Sequence, residues 1–269
     1  MPEEPRENIS GGDAGAAAAF ESGDAATRAE AVVDELGELY WQKTYGGTDA
    51  FESLVRTILS QNTSDAASQP AHDALMERYG ADREQSGLAD ALADADRSAL
   101  AETISSAGLH NQKSATIAGA AEHVREEYGG ADAFDRFVRG GDPAEVREAL
   151  LDIHGVGPKT ADCVLLFAGG RDGVFPVDTH VHRIARRMGL APADADHETV
   201  REHLEADVPG EKCGFGHTAM IQFGREYCTA RKPACLDGPE ACPLSDRCDR
   251  VGVDEVDGSV VDPAETVGE

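Results

Sequence analysis

Apolar residues recur along most of the chain at intervals of three and four, the spacing of helices that bury one face. Phe51, Leu54, Val55, Ile58 and Leu59 keep this period, and Asp49 with Glu52 three residues on can cap the helix they define. Ala31, Val32, Leu36, Leu39 and Tyr40 mark an earlier helix over about 27–43. Further helices are predicted over 64–79, with Ser64 as cap and Gly80 as stop, and over 87–94, 97–106 and 111–128, the last ending at Gly129-Gly130. The pattern continues over 143–152, 158–168, 179–188, 196–207 and 214–227. No stretch alternates apolar and polar residues long enough to predict a sheet, so the fold class is mainly α, built from about ten short helices.

The two ends depart from this pattern. Residues 1–26 and 249–269 are rich in Gly, Ala and acid without an apolar stripe, and both read as disordered acidic tails. The whole chain of 269 residues carries 51 Asp and Glu against 24 Lys and Arg, a formal charge of −27. Taken alone, that charge argues against a nucleic-acid partner. The basic residues are unevenly divided, however, into five Lys (43, 113, 159, 212 and 232) and 19 Arg. Abundant carboxylates, scarce Lys and only 5% aromatic residues are similar to the composition of proteins from salt-loving cells. At molar salt the Debye length is about 3 Å, so carboxylates hardly repel one another. Net charge then reports the solvent and not the partner, and a halophile is the expected source.

The longest apolar runs, such as 164–169, are far short of a membrane span, and the opening MPEEPRENIS is acidic and polar, so no signal peptide is expected there. A cytoplasmic protein with no membrane partner is the expectation. Four of the six Cys fall between 228 and 248, which points to a metal site in a reducing compartment.

The segment DPAEVREALLDIHGVGPKTADCVLLFAGG sets two helices on either side of His154, Gly155, Val156 and Gly157, with Pro158 where a first helical turn tolerates it. The glycines allow a tight turn and a close approach, with backbone N–H groups facing outward at a helix N-terminus, an arrangement that holds a phosphate. A Gly-x-Gly between helices also fits an ordinary turn. Its surroundings carry more: ILSQNTSD at 58–65, AGLHNQKS at 107–114, IHGVGPKTA at 153–161, VDTHVHRIARRMGL at 177–190, and CTARKPAC followed by CPLSDRC.

In this order the motifs resemble the helix-hairpin-helix DNA glycosylases, and among them the endonuclease III family, over about residues 30–248. The resemblance implies two helical lobes with a DNA cleft between them and a C-terminal iron–sulfur loop. On that pattern residues 50–167 form a six-helix lobe containing the hairpin, and 27–49 with 168–248 form the iron–sulfur lobe.

The resemblance also assigns chemistry. Such an enzyme flips a damaged nucleotide out of the duplex and cuts its C1′–N bond. An amine that displaces the base stays attached at C1′ as a Schiff base, from which β-elimination breaks the strand. Lys159 stands at the family's nucleophile position. An ordinary Lys, with a pKa of about 10.4, is protonated at neutral pH, and partial burial with the positive end of a helix favours the neutral amine. Asp178 precedes a helix and can cap it. The resemblance gives it a second role, stabilising the developing sugar cation and assisting deprotonation of Lys159.

In this family a Gln enters the gap left by the flipped nucleotide and a Leu wedges the opposite side. An ungapped match ending at Asp65 puts Asn62 and not Gln61 at the Gln position, so either can fill the gap. Leu109 matches the wedge, a position that a hydrophobic cap contact would also suit. Arg183, Arg186, Arg187, Arg231 and Lys232 are candidate phosphate contacts.

Cys228, Cys235, Cys242 and Cys248 are separated by six, six and five residues. Four thiolates suit Zn or a [4Fe–4S] cluster, but structural Zn sites usually contain a close Cys-x₂₋₄-Cys pair, which is missing here. The family's cluster has intervals of six, two and five, so the outer two match and LDGPEA lengthens the middle one. A [4Fe–4S] cluster is therefore expected, with Cys163 and Cys213 as free thiols.

The leading expectation is a monomeric, bifunctional DNA glycosylase and AP lyase acting on oxidised pyrimidines in double-stranded DNA with a damaged base or abasic site. A mismatch thymine or adenine glycosylase of the same fold is the near alternative, and Lys159 argues against the adenine enzyme. A non-catalytic helix-hairpin-helix DNA-binding protein is the alternative from another class, with little reason to keep both Lys159 and Asp178.

Overall fold

The computed structural model describes residues 6–7, 24–41, 49–80 and 87–267. Most of the expected N-terminal tail, the end of the first expected helix and the connection at 42–48 lie outside the described residues. In chain order the elements begin with strand β1 (Arg6–Glu7), α1 (Arg28–Leu39), strand β2 (Tyr40–Trp41), α2 (Ala50–Ser60), α3 (Asp65–Tyr79), α4 (Gly87–Ala93) and α5 (Arg97–Thr103). They continue with α6 (His110–Tyr128), α7 (Ala131–Gly140), α8 (Pro143–Leu151), α9 (Pro158–Phe167), α10 (Thr179–Met188), α11 (His197–Asp207) and α12 (Gly210–Glu226). Strands β3 (Val253–Asp254) and β4 (Ser259–Val260) close the list. No helix among the described residues is long and apolar enough to cross a membrane.

Carboxylates fix many of the helix starts. Asp49, Asp96, Asp142, Asp178 and Asp196 each accept backbone N–H bonds as N-caps of α2, α5, α8, α10 and α11. Part of the acid excess is therefore structural, because each cap satisfies donors that the first turn leaves unpaired.

The chain divides into two compact units, one of residues 1–45 and 172–269, the other of residues 46–171. The second unit is organised around α2, whose Phe51, Leu54, Val55, Ile58 and Leu59 are all fully buried. Each such side chain contributes about 1.5–3 kcal/mol of transfer free energy. Helices α3, α7 and α9 pack on it. This unit holds eight helices among the described residues, seven of them where the apolar period predicts a helix, against the six that the resemblance implies. The apolar period does not single out α7, four of whose ten residues are charged, although Phe134 and Val138 sit four apart and are buried.

The first unit packs α1, α10, α11 and α12 around Val32, Val33, Leu36, Phe175, Ile184, Met220 and Phe223. Here β1 pairs with β2 in parallel, Arg6 opposite Tyr40 and Glu7 opposite Trp41. The C-terminal segment expected to be a disordered tail is folded through residue 267. Strands β3 and β4 pair antiparallel, Val253 opposite Val260, and a short 3-10 helix follows at Pro263–Thr266. Sparse apolar residues hid this segment, because polar tethers hold it: the Arg186 guanidinium grips both carboxylate oxygens of Asp262 at 2.9 Å, and Val251 N–H donates to Arg187 O at 2.9 Å.

Candidate active site and cysteine centre

In the second unit, Asp142 and Pro143 start α8, and Arg147 Nε meets Asp162 Oδ1 at 2.7 Å to brace α8 against α9. Asp162 is 2% exposed, so this pair sets the angle of the hairpin in a water-poor place. Ile153 and Val156 tuck inward and anchor the turn. Gly155 has φ +86°, and a Cβ there would stand 2.7 Å from Thr116 Cγ2 and 2.9 Å from its Oγ1, so glycine is required twice over. Gly157 has nothing within 4 Å of where a Cβ would be, which leaves the backbone open to a ligand. His154 is exposed, and Lys159 is the half-buried second residue of α9. Val156, expected among the DNA contacts, has a buried side chain, and its N–H donates to Ile153 O at 3.0 Å.

Two turns of the same unit carry the candidate DNA-filling residues. After α2 the Gln61 side chain points at the hairpin, where Nε2 donates to Thr160 Oγ1 at 3.0 Å and Gly155 O at 3.3 Å. Asn62 is exposed with φ +51°. Leu109, at the start of α6, has φ +46° and is 58% exposed, the reverse of a hydrophobic cap contact. Of the two alternatives, then, Gln61 is engaged within the protein and Asn62 is presented outward. The sequence reading missed Lys113, inside AGLHNQKS, which is 3% exposed and hydrogen-bonded to both turns. Its signal was the scarcity of Lys, the argument that singled out Lys159.

In the first unit, Asp178 caps α10 through one oxygen, Oδ1 accepting from His180 N and Val181 N at 2.8 Å each, so Oδ2 takes no part in the cap. Arg186 and Arg187 are not phosphate contacts as expected. They are 6% and 2% exposed, because each guanidinium is taken up by partners within this unit. Arg186 holds Asp262, while Arg187 Nη1 donates to Thr229 O at 2.8 Å and lies 3.4 Å from Cys228 Sγ. Arg183 is half-buried and donates to Cys228 O at 2.9 Å. Arg231 and Lys232 are exposed. Burial is the main cause that pushes the His180 and His182 imidazoles below their ordinary pKa.

Cys228, Cys235, Cys242 and Cys248 line one cavity, together with Arg187, Phe223, Tyr227, Leu244 and Arg250. Burial pushes the Cys248 thiol up to about 11, and burial followed by other contributions that include the neighbouring Cys228 also raises Cys235 and Cys242. Four cysteine sulfurs around one apolar-walled cavity fit an iron–sulfur cluster, whose cationic iron would hold them as thiolates. Among the described residues no three His, Cys, Asp or Glu gather closely enough for a single ion. Arg250 N–H donates to Cys248 Sγ at 3.4 Å, so the sulfurs also meet N–H donors. Outside the cavity, Cys163 and Cys213 are buried thiols.

The hairpin and its surroundings define a class. Residues 55–209 match the HhH-GPD superfamily of base excision DNA repair proteins, more than half of the chain, and the protein belongs to that superfamily. Residues 228–248 match the iron–sulfur binding domain of endonuclease III. Within the superfamily, the chain is 33% identical to endonuclease III of Thermotoga maritima over 75% of its own length and 84% of the relative's. It is 29% identical to endonuclease III of Bacillus subtilis over 81% and 90%. Among solved structures it resembles a trapped endonuclease III–DNA covalent intermediate, with a TM-score of 0.61 at 27% identity over 77% of this chain and 86% of that one. A thermostable thymine-DNA glycosylase superposes with a TM-score of 0.61 at 25% identity over 76% and 85%.

Proposed function

We propose that this protein is a bifunctional base excision repair enzyme that removes oxidised pyrimidines from double-stranded DNA and then cleaves the abasic strand. The Lys159 amine attacks C1′, the base leaves with the electrons of the C1′–N bond, and opening of the sugar gives a Schiff base. Loss of a proton from C2′ then expels the 3′-phosphate by β-elimination. Asp178, with Oδ2 outside its cap, has the role of stabilising the sugar cation and assisting deprotonation of Lys159. The observation that carries this reading is the placing of Lys159 one residue into the helix behind the open Gly157 backbone, in a chain with so few lysines. Its relatives named endonuclease III and the covalently trapped DNA complex support it.

The cofactor in this reading is a [4Fe–4S] cluster on Cys228, Cys235, Cys242 and Cys248. Gly155, Gly157 and His154 of the hairpin, with Arg183, Arg231 and Lys232, would lie along the phosphates, while Asn62 and Leu109 enter the duplex. The protein works as a cytoplasmic monomer, and its acidic surface is an adaptation to high salt.

The test is borohydride reduction with DNA containing thymine glycol or an abasic site. Wild-type protein should be trapped covalently, and Lys159→Gln should not be trapped while still binding DNA. Undiminished trapping of the variant would place the chemistry on another amine. The second reading, a mismatch thymine glycosylase, is favoured by the likeness to the thymine-DNA glycosylase structure, and faster release of thymine from a G·T pair than of thymine glycol would select it.

A further inference from the structure

Lys113 is a buried ammonium whose partners are all uncharged oxygens. Nζ donates to Leu59 O at 2.7 Å, Thr63 Oγ1 at 2.6 Å and Ala107 O at 2.9 Å. Three donors meet three acceptors, which saturates the group. Burial alone pushes its pKa below the ordinary Lys value. Holding a cation among neutral dipoles is costly, and a well-packed apolar side chain would spare that cost. Nor does composition explain it, because this chain carries 19 Arg to five Lys. Geometry does: a compact ammonium can converge on three oxygens about one point, whereas a planar guanidinium fork cannot.

The three acceptors belong to the two turns that present Asn62 and Leu109. Leu59 O is one of the carbonyls left over at the end of α2, just before the 61–63 turn. Thr63 follows Asn62 directly, and its hydroxyl donates to Ala107 O at 2.6 Å. Ala107 ends the 3-10 turn two residues before Leu109, and Lys113 N–H itself donates to Leu109 O at 2.9 Å. The clamp therefore ties the backbone at 59 and the Thr63 hydroxyl to the backbone at 107. On either side of it stand two of the three described non-glycine residues with positive φ, Asn62 and Leu109. Left-handed backbone costs an ordinary residue roughly 1–2 kcal/mol, so it persists only where the surroundings enforce it.

We infer that Lys113 is a positioning residue that fixes the separation of the Asn62 and Leu109 tips and thereby sets how effectively a paired base is levered out of the duplex. This rests on the proposed reading in which those two side chains enter the DNA. A base that is already unpaired needs little levering, since extrusion costs least where pairing and stacking are weakest. Loss of the clamp should therefore be felt on paired substrates and hardly at all on unpaired ones. A merely structural loss would lower both alike.

The experiment measures single-turnover excision of thymine glycol by the full, iron-loaded protein, with the lesion either opposite adenine or inside a short unpaired bubble. Lys113→Met is expected to slow the paired substrate by about tenfold or more, the scale of one lost charge-assisted hydrogen bond, and the bubble by less than about threefold. An equal fall on both substrates overturns the inference. Thr63→Val, which keeps the volume and removes only the bridging hydroxyl, covers the case in which Lys113→Met does not fold. It should show the same paired-selective loss at smaller size, and undiminished paired excision in it also overturns the inference. If Asn62→Ala with Leu109→Ala leaves paired excision intact, or wild-type protein leaves thymine glycol uncut, the underlying reading fails and this inference with it. If those truncations slow excision but adding Lys113→Met slows it by a further tenfold, only the role of Lys113 is lost, because its effect should vanish once the tips it positions are gone.

Discussion

Gln61 Nε2 donates to Thr160 Oγ1 at 3.0 Å, which joins the turn after α2 to the residue following Lys159. The neighbouring Asn62 makes no such link and faces outward. The two amides should therefore separate stability from function. Gln61→Ala removes a bond worth about 1 kcal/mol and should lower the melting temperature by about 2–4 °C. Asn62→Ala should lower excision of a paired lesion several-fold, with little effect on melting beyond the cost of its positive φ. Parallel melting curves and single-turnover rates check this, and the reverse pattern would make Gln61 the DNA-filling residue.

Asp178 has a structural task on one oxygen and a proposed chemical task on the other. Asn caps a helix about as well as Asp. Asp178→Asn should therefore melt like the wild type yet excise at least about a hundredfold more slowly, the usual scale for loss of an acid–base group. Lowered melting with unchanged excision would mean that the cap is its whole role.

Thiol chemistry should distinguish the six cysteines. With the cluster bound, iron and inorganic sulfide should be found by analysis, and alkylating reagents should leave the cavity cysteines untouched. After chelation of the iron, the partly exposed Cys242 and Cys248 should become reactive, and the faster the more alkaline the solution, since burial raises both thiols. Cys213, buried and pushed up to about 12, should stay inert in the folded protein at pH 8. Stoichiometric zinc without iron in protein prepared without oxygen would overturn the assignment.

The Arg186–Asp262 tether gives a pH dependence with a defined sign. A hydrogen bond to Arg186 holds the Asp262 carboxyl below its ordinary pKa in the folded chain. Its contribution is therefore present above the unfolded value of about 3.9 and lost as pH falls through the lower folded value. Asp262 is 51% exposed, so water screens the pair and the effect should be local. Hydrogen-exchange protection at 251–267, corrected for the intrinsic rate at each pH, should fall in acid, and Asp262→Asn should reproduce that loosening at pH 7. Unchanged protection in Asp262→Asn would assign the anchoring to other contacts.

Salt tests the meaning of the charge. A protein making six to ten phosphate contacts ordinarily loses about a thousandfold or more in DNA affinity between 50 and 200 mM salt. Here salt also screens repulsion between DNA and a chain of charge −27. Folding and excision should persist or increase from about 0.1 M KCl towards molar values, followed by circular dichroism alongside activity. Activity lost by about 0.5 M with the fold unchanged would show that the acidic surface is not a salt adaptation.

Much of this was legible from local chemistry. The helix period located α2, Asp and Pro marked the start of α8, and the hairpin with the four cysteines announced the site. The rest depended on direction and on distant partners. Arg186 and Arg187 look from the sequence like a basic patch, because a charge pattern does not reveal which face of α10 meets the cysteine loop. Lys113 binds carbonyls, and a carbonyl leaves no mark in a sequence. The segment 249–267 has few apolar residues, and its fold depends on Asp262 finding an arginine 76 positions earlier.

The left-handed backbone at Leu109 has an evolutionary consequence. Glycine would relieve the torsional cost of φ +46°, and even after glycine's larger loss of chain entropy the exchange should be neutral or favourable to stability. A selection for heat resistance alone would therefore drift towards Leu109→Gly and erase the exposed side chain. On the proposed reading, in which Leu109 enters the duplex, such a substitution would exchange work on DNA for stability, so stabilising changes to this enzyme should leave that loop alone.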